Sequence, residues 1–438
     1  MTPVMSEFRM ALIGALMVAL GPLSMALYTP ALPTLVHAYG AEPGAVKLTL
    51  TVYFAGFALA QLLCGPLSDA YGRRRVALAF FGIYLVGSAI ATVSPSIEWL
   101  LVARTVQGIG AAAGIAISRA MVRDQFVGQA SARILNLIGI MLGIAPALAP
   151  TIGGTILSLA GWHAIFVVML AYGAVAVALV SWMPETLKSP DPAMAHPVRL
   201  VRNYGRLMAS PGFMRPALVV GATLGGVYTL ASILPFVMID EIGLAPAVFG
   251  MTMMLQTGFY IAGAVATQRL LKRHDAAALV PVGLALVAVS ACLMLVVLRL
   301  VEPGVVAVMG PVAIWAFGIG MIMPGATTAA MAGFPAIAGA ASALMGFFQI
   351  GGGLLGSMVS SLFTDPVAAL TTILPGMALL AVVAHLGLAA AKRREERLDP
   401  TAYELMGGTD PAGYVGPPAK RLVGGLREAR DEMRDAAE

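Results

Sequence analysis

The sequence predicts an all-α integral membrane protein with twelve transmembrane helices, arranged as two related six-helix halves. Three observations predict it. First, charge is scarce: 27 Lys or Arg and 22 Asp or Glu in 438 residues make 11%, whereas soluble domains carry about 25%. Second, that charge is unevenly placed, since the 47 residues from Lys392 hold 19 charges and the first 391 hold only 30. Third, the chain is 59% hydrophobic and falls into successive apolar runs, each near the roughly 20 residues that cross a hydrocarbon core. A body this poor in charge cannot cover a water-exposed surface. A soluble enzyme, a nucleic-acid-binding protein and a disordered chain are therefore excluded.

Charges, prolines and glycines delimit the runs. Six spans fall at about 10–35, 45–67, 75–94, 97–121, 133–158 and 162–183, and six more at about 213–239, 247–270, 277–299, 305–331, 338–363 and 367–391. The first is too long for a secretory signal and reads as a retained span. All must be helices, because lipid cannot satisfy the open edge of a sheet. The expected organisation is an N-terminal bundle, 1–183; a cytoplasmic linker, 184–212; a C-terminal bundle, 213–391; and a polar cytoplasmic tail, 392–438, whose last residues alternate in sign at helical spacing.

Basic residues set the orientation. With the N-terminus inside, the inner loops hold Arg73, Arg74, Arg75, Arg119, Arg123, Arg133, the basic residues of the linker, Arg269, Lys272 and Arg273, whereas the outer loops hold only Lys47 and Arg299. This places both termini in the cytoplasm. The basic block Gly263 to Arg273 repeats Gly65 to Arg75 at an offset of 198 residues, which supports two related halves. Cys64 and Cys292 lie in apolar runs and indicate neither a disulfide framework nor a metal cluster. No Gly-Lys dipeptide exists, so there is no phosphate-binding loop for a pump, and no His-Glu-x-x-His segment or midplane carboxylate pair suggests an enzyme. Neither a cofactor nor a metal is expected.

Several segments carry the working parts. Between the second and third spans stands Gly65-Pro-Leu-Ser-Asp69-Ala-Tyr-Gly72-Arg73-Arg74-Arg75. Its glycines permit tight turning, and Asp69 at a helix end can pair with an arginine. The fourth span holds Arg104-Thr-Val-Gln107-Gly108, and a guanidinium at that depth must find partners. The fifth contains Pro146, Pro150, Gly153 and Gly154, which kink a helix and let a neighbour approach. These segments resemble, respectively, the G-x-x-x-D-x-x-G-R-R loop, the R-x-x-Q-G motif and the antiporter motif of the major facilitator superfamily. Ala149 stands where the antiporter motif usually has its first glycine. Tyr28-Thr-Pro-Ala-Leu-Pro33, Arg119 to Asp124, Gly161 to Phe166, Leu234 to Val237 and Gly339 to Gln349 together resemble the Bcr/CflA drug:proton antiporters, over nearly all of residues 10–390.

That resemblance implies the major facilitator fold and a bacterial inner-membrane carrier, monomeric among lipid, with no nucleic-acid partner. It implies export of small organic molecules, antibiotics among them, by alternating access in exchange for protons. Gly65, Asp69, Gly72, Arg73, Pro146, Pro150, Gly153 and Gly154 would serve gating. Tyr28, Tyr53, Arg104, Gln107, Asn136, Tyr228, Gln256, Tyr260 and Gln349 would be the cavity residues. One position departs from the pattern: the aspartate usual two residues before the first-span tyrosine is Ala26, and Asp69, Glu98, Asp240, Glu241 and Asp365 all lie near span ends. A metabolite carrier of the same fold, facilitative or differently coupled, is the second reading.

Overall fold

Inside lipid a backbone must satisfy its own hydrogen bonds, and each span does so as helix. The computed structural model describes residues 4–398; the rest of the expected tail lies outside the described residues. The spans are α1 (Glu7–Tyr39), α2 (Pro43–Tyr71), α3 (Arg73–Thr92), α4 (Ile97–Gln125), α5 (128–160), α6 (162–181), α7 (Pro211–Glu241), α8 (Pro246–Leu270), α9 (Ala276–Leu300), α10 (Val305–Ala332), α11 (Ala338–Ser360) and α12 (Pro366–Leu398). No strand occurs among the described residues.

Proline and glycine bend this scaffold more often than they end it. α1 carries Pro22 inside its first segment, tightens to a 3₁₀ turn at Thr29–Ala31 around Pro30, and resumes over Leu32–Tyr39. A proline removes one helical donor, and the backbone slackens there. α7 likewise passes into a π-helical turn, Phe236–Glu241, directly after Pro235. α5 and α6 have no loop between them: Gly161, at φ 77° and ψ 176°, alone breaks the helical backbone of 128–181. That left-handed φ favours glycine.

Within the expected linker, Pro197–Ala209 is a helix. Its arginines obscured a periodic apolar face, in which Leu200, Tyr204 and Leu207 recur at i, i+4 and i+7. Leu207 is fully buried, and the Tyr204 hydroxyl donates to the Leu62 carbonyl at 2.6 Å. Burial pushes the Tyr204 phenol up to about 12, so it stays a donor at neutral pH.

Two cores form. One gathers buried residues from Met5 to Met183, joined by Phe236 and Ile350, and the other runs from Leu207 to Ala381. Within the first, Gly108 of α4 lies against the backbone of Tyr53 on α2, where any Cβ would collide. That contact fixes how closely α2 and α4 pack.

At the end of the bundle that carries the basic loops, hereafter the basic end, Arg73 ties three helices. Its guanidinium meets Asp69 at 2.5 Å and Asp124 at 2.9 Å, and donates to Ser68 Oγ at 2.7 Å. Glu185, beyond α6, caps α3: its carboxylate accepts from the Arg73 and Arg74 backbone N–H groups at 2.9 and 3.1 Å. A carboxylate at a helix N-terminus satisfies orphan donors and meets the positive end of the dipole. Gly72, at φ 101°, makes room for it, since a Cβ there would lie 2.6 Å from Glu185 Oε2. No sequence motif marks Glu185, which is 112 residues from the helix it caps. Glu185→Ala should lower stability by about 1–2 kcal/mol, read as a lower Tm in detergent. Gly72→Ala should cost at least as much, and a Tm equal to the parent's in both variants would remove the capping role.

Candidate functional site

Arg104 lies in α4, and its side chain is completely buried. Its guanidinium carbon is 4.5 Å from the Tyr28 ring centroid and 4.3 Å from that of Tyr53. Nη1 donates to Gln107 Oε1, and Gln107 Nε2 in turn donates to Ser88 Oγ of α3 at 2.8 Å, with the Met169 sulfur of α6 at 3.5 Å. The ring hydroxyls are held too: Tyr28 pairs with Thr49 at 2.7 Å, and Tyr53 donates to the Gly21 carbonyl at 2.9 Å. Five helices therefore converge on one charge.

A buried cation without a counter-ion costs several kcal/mol. Each desolvated ring face returns about 1–2 kcal/mol and the charge-assisted hydrogen bond about 1.5–3. Arg104 Nε and Nη2 have no hydrogen-bond partner, and no carboxylate pairs with the guanidinium among the described residues.

Tyr53 has a second role. It lines a small cavity with Gly21, Pro22 and Met25 of α1, Phe54 and Phe57 of α2, Ile115 of α4, Tyr228 of α7 and Ile350 of α11. Both halves contribute to this wall, and the Phe54 and Tyr228 rings meet across the division at 5.7 Å. Arg104 is thus one aromatic ring away from the cavity.

The residues expected to line the cavity are divided by the structure. Tyr53 and Tyr228 are in the wall. Arg104, Gln107 and Tyr28 are buried behind it. Gln256 is buried on α8, Tyr260 and Gln349 are half-buried, and Asn136 is exposed on α5; none of these four lines this cavity. Phe54, Phe57, Met25 and Ile350 were not anticipated, because an apolar residue inside an apolar run carries no mark of its own.

The end of the bundle opposite the basic loops is sealed. Lys47 of α2, 1% exposed, extends its ammonium to the carbonyls of Ser360 and Phe363, at 3.3 and 3.2 Å, with the Phe236 ring at 5.1 Å. The C-terminus of α11 supplies those carbonyls, and a helix C-terminus attracts a cation. One turn deeper, Thr51 Oγ1 and Ser357 Oγ pair at 2.9 Å. Among the described residues these are the side-chain hydrogen bonds that cross between the six-helix halves, and all lie in the first nine residues of α2. Gly154 of α5 lies against the backbone of Pro246 on α8, so the expected gating glycine is at this seal, and its neighbour Gly153 lies against Leu27 of α1. At the basic end Asp69 is partly exposed and its ion pair with Arg73 stays within its own half.

Known proteins share this architecture. The family profile described as Major Facilitator Superfamily matches residues 14–391. The chain is 32% identical over 384 residues to an uncharacterized MFS-type transporter, YdgK, of Bacillus subtilis, covering 87% of this chain and 94% of that one. It is 30% identical to multidrug resistance protein D of Escherichia coli, covering 85% and 94%. It is 27% identical to a bicyclomycin resistance protein homolog of Haemophilus influenzae, covering 87% and 96%. Among solved structures, a bacterial homolog of the human lysosomal transporter Spinster superposes with a TM-score of 0.68 at 15% identity, covering 88% of this chain and 97% of that one. Loop motif, helix order and matched residues agree: the chain belongs to the Major Facilitator Superfamily.

Proposed function

We propose that the chain is a secondary active exporter of small organic molecules, drugs among them, working by alternating access. The observation that carries this is the junction of the halves: Tyr53, Phe54 and Tyr228 from both halves border a small space, and Lys47 and Thr51 join α2 to α11 at the end opposite the basic loops. The basic end is cytoplasmic, with both termini, and the sealed end is periplasmic. The conformation is then closed to the outside. Names given to relatives, multidrug resistance protein D and a bicyclomycin resistance homolog, support the substrate class. The protein acts as a monomer in a bacterial inner membrane and performs no chemistry on what it carries.

The wall chemistry narrows the cargo. Aromatic and aliphatic groups dominate, no acidic side chain lines the cavity, and Arg104 lies behind Tyr53 with two unused donors. Such a wall suits neutral or electron-rich groups and disfavours organic cations. Asp69 acts in the opposite state: with Arg73 it stabilises the arrangement closed on the cytoplasmic side. Proton exchange is the coupling proposed. A facilitative or differently coupled carrier is the second reading, favoured by Ala26 and by Arg104 lacking an acidic partner among the described residues.

In an efflux-deficient host, expression should raise resistance to neutral antibiotics more than to cationic dyes, and Arg104→Ala should return susceptibility to the empty-host level. A profile dominated by cations, or an active alanine variant, contradicts this reading of the cavity. In proteoliposomes an imposed pH gradient should drive substrate accumulation with a matching proton flux; transport indifferent to the gradient selects the second reading. The seal gives a separate expectation. Losing the charged hydrogen bonds of Lys47, worth about 1.5–3 kcal/mol, should shift Lys47→Met toward the outward-open state by tenfold or more. Labelling of Met25→Cys by an impermeant thiol reagent from outside should rise accordingly. Unchanged labelling shows that the lysine does not hold the gate.

A further inference from the structure

The linker helix Pro197–Ala209 presents three distinct faces. Leu200, Tyr204 and Leu207 turn toward the protein, with Leu207 buried and Tyr204 bonded to Leu62. Beside them runs an apolar stripe with nothing covering it: Val198 is 59% exposed, Val201 72% and Met208 52%. Beyond that stripe lie Arg199, Arg202 and Arg206, all exposed. On a helix of 100° per residue these three fall within a narrow sector, on the side away from the buried face. None of them forms an ion pair among the described residues, and no acidic residue occurs between Asp191 and Asp240.

The depth of the helix matters as much as its faces. α2 has 29 residues, Pro43–Tyr71, or about 43 Å of helix at 1.5 Å per residue. It therefore overhangs a hydrocarbon core of about 30 Å by several ångströms at each end. Leu62, the anchor for Tyr204, is nine residues from the end of α2, about 14 Å along it. The Leu62 carbonyl is thus roughly 7 Å inside the hydrocarbon boundary, and Tyr204 reaches down to it with its hydroxyl, so the linker helix itself lies nearer the level where acyl chains meet headgroups. At that level an exposed valine stripe would meet lipid, and a guanidinium row would meet phosphate. A helix with an apolar strip, a basic strip and no acid is built for an anionic interface.

We propose that this helix is a binding site for anionic phospholipid in the leaflet at the basic end. Arg199, Arg202 and Arg206 take headgroup phosphates while Val198, Val201 and Met208 enter the acyl region. The site is independent of the substrate cavity. It also spans the division between the halves, since Tyr204 bonds to Leu62 of α2 and the preceding turn Pro192–Ala195 packs on α2, while the helix itself packs on α11 and α7. Lipid held there is positioned to favour the conformation in which that docking is intact.

The full chain tests this. A spin label at Val201→Cys, with exposed Cys292 replaced by serine and buried Cys64 retained, should be reached by oxygen in preference to a water-soluble nickel complex. That preference should be stronger in phosphatidylcholine vesicles containing phosphatidylglycerol than in phosphatidylcholine alone. Native mass spectrometry should show retained phosphatidylglycerol, falling about fivefold for each Arg→Gln change at 199, 202 or 206 and persisting in the Arg→Lys variants. Two results overturn the proposal: a label that stays water-exposed in both membranes, or phosphatidylglycerol retention unaffected by the glutamines. A third does so as well, namely retention that responds only to removal of the acidic residues after 398, because the arginines then serve the chain's own tail. The label is read in a chain with all three arginines intact, so poor folding of a glutamine variant leaves that arm decisive.

Discussion

A single positive charge, with no carboxylate pairing it among the described residues, organises the N-terminal half. Low dielectric makes an unpaired guanidinium expensive, and the chain meets that cost by wrapping it in ring faces and an amide. α1 gives Tyr28, α2 gives Tyr53, α3 gives Ser88 and α6 gives Met169, the last two through Gln107. The close approach of α2 and α4 at Gly108 then follows, because only a short distance lets both rings reach the same cation. The cavity wall is the outer surface of this arrangement, with Tyr53 shared between the two.

The contrast between the two ends of the bundle has the same origin. At the basic end, Asp69, Asp124 and Glu185 are used up inside one half, on Arg73 and on the start of α3. At the other end a lysine is spent on carbonyls of the opposite half. Intra-half bonds keep six helices together as a body, while the inter-half bonds are few, polar and reversible. The rest of the seam is close packing of α2 on α11 and of α5 on α8, where Gly154 and Gly250 let backbones meet.

Much of this was legible in the sequence, for physical reasons. Span positions follow from the length of an apolar run, which lipid thickness enforces, and orientation follows from where arginines cluster. Arg104, Gln107 and Gly154 stood out because a polar or kinking residue at membrane depth needs a reason. What escaped notice was carried by residues whose type fits several roles. Phe54, Phe57 and Ile350 look like any core residue, and only the fold brings α2 and α11 together. Lys47 looked like an ordinary outer-loop charge until its amine was seen capping a helix from the other half. Glu185 and the linker helix were hidden by distance and by charge: one acts far along the chain, and the other masks its apolar face with arginines.

The single-residue join at Gly161 makes α5 and α6 behave as a jointed lever with almost no slack. One arm carries Gly154 at the seam with α8. The other carries Phe166, 5.5 Å from the Tyr28 ring, and Met169, against Gln107. A connecting loop would let the two arms part, whereas one glycine keeps their ends together. The seam contact and the contacts to the aromatic cage of Arg104 are thus carried on adjoining helices with a single residue between them.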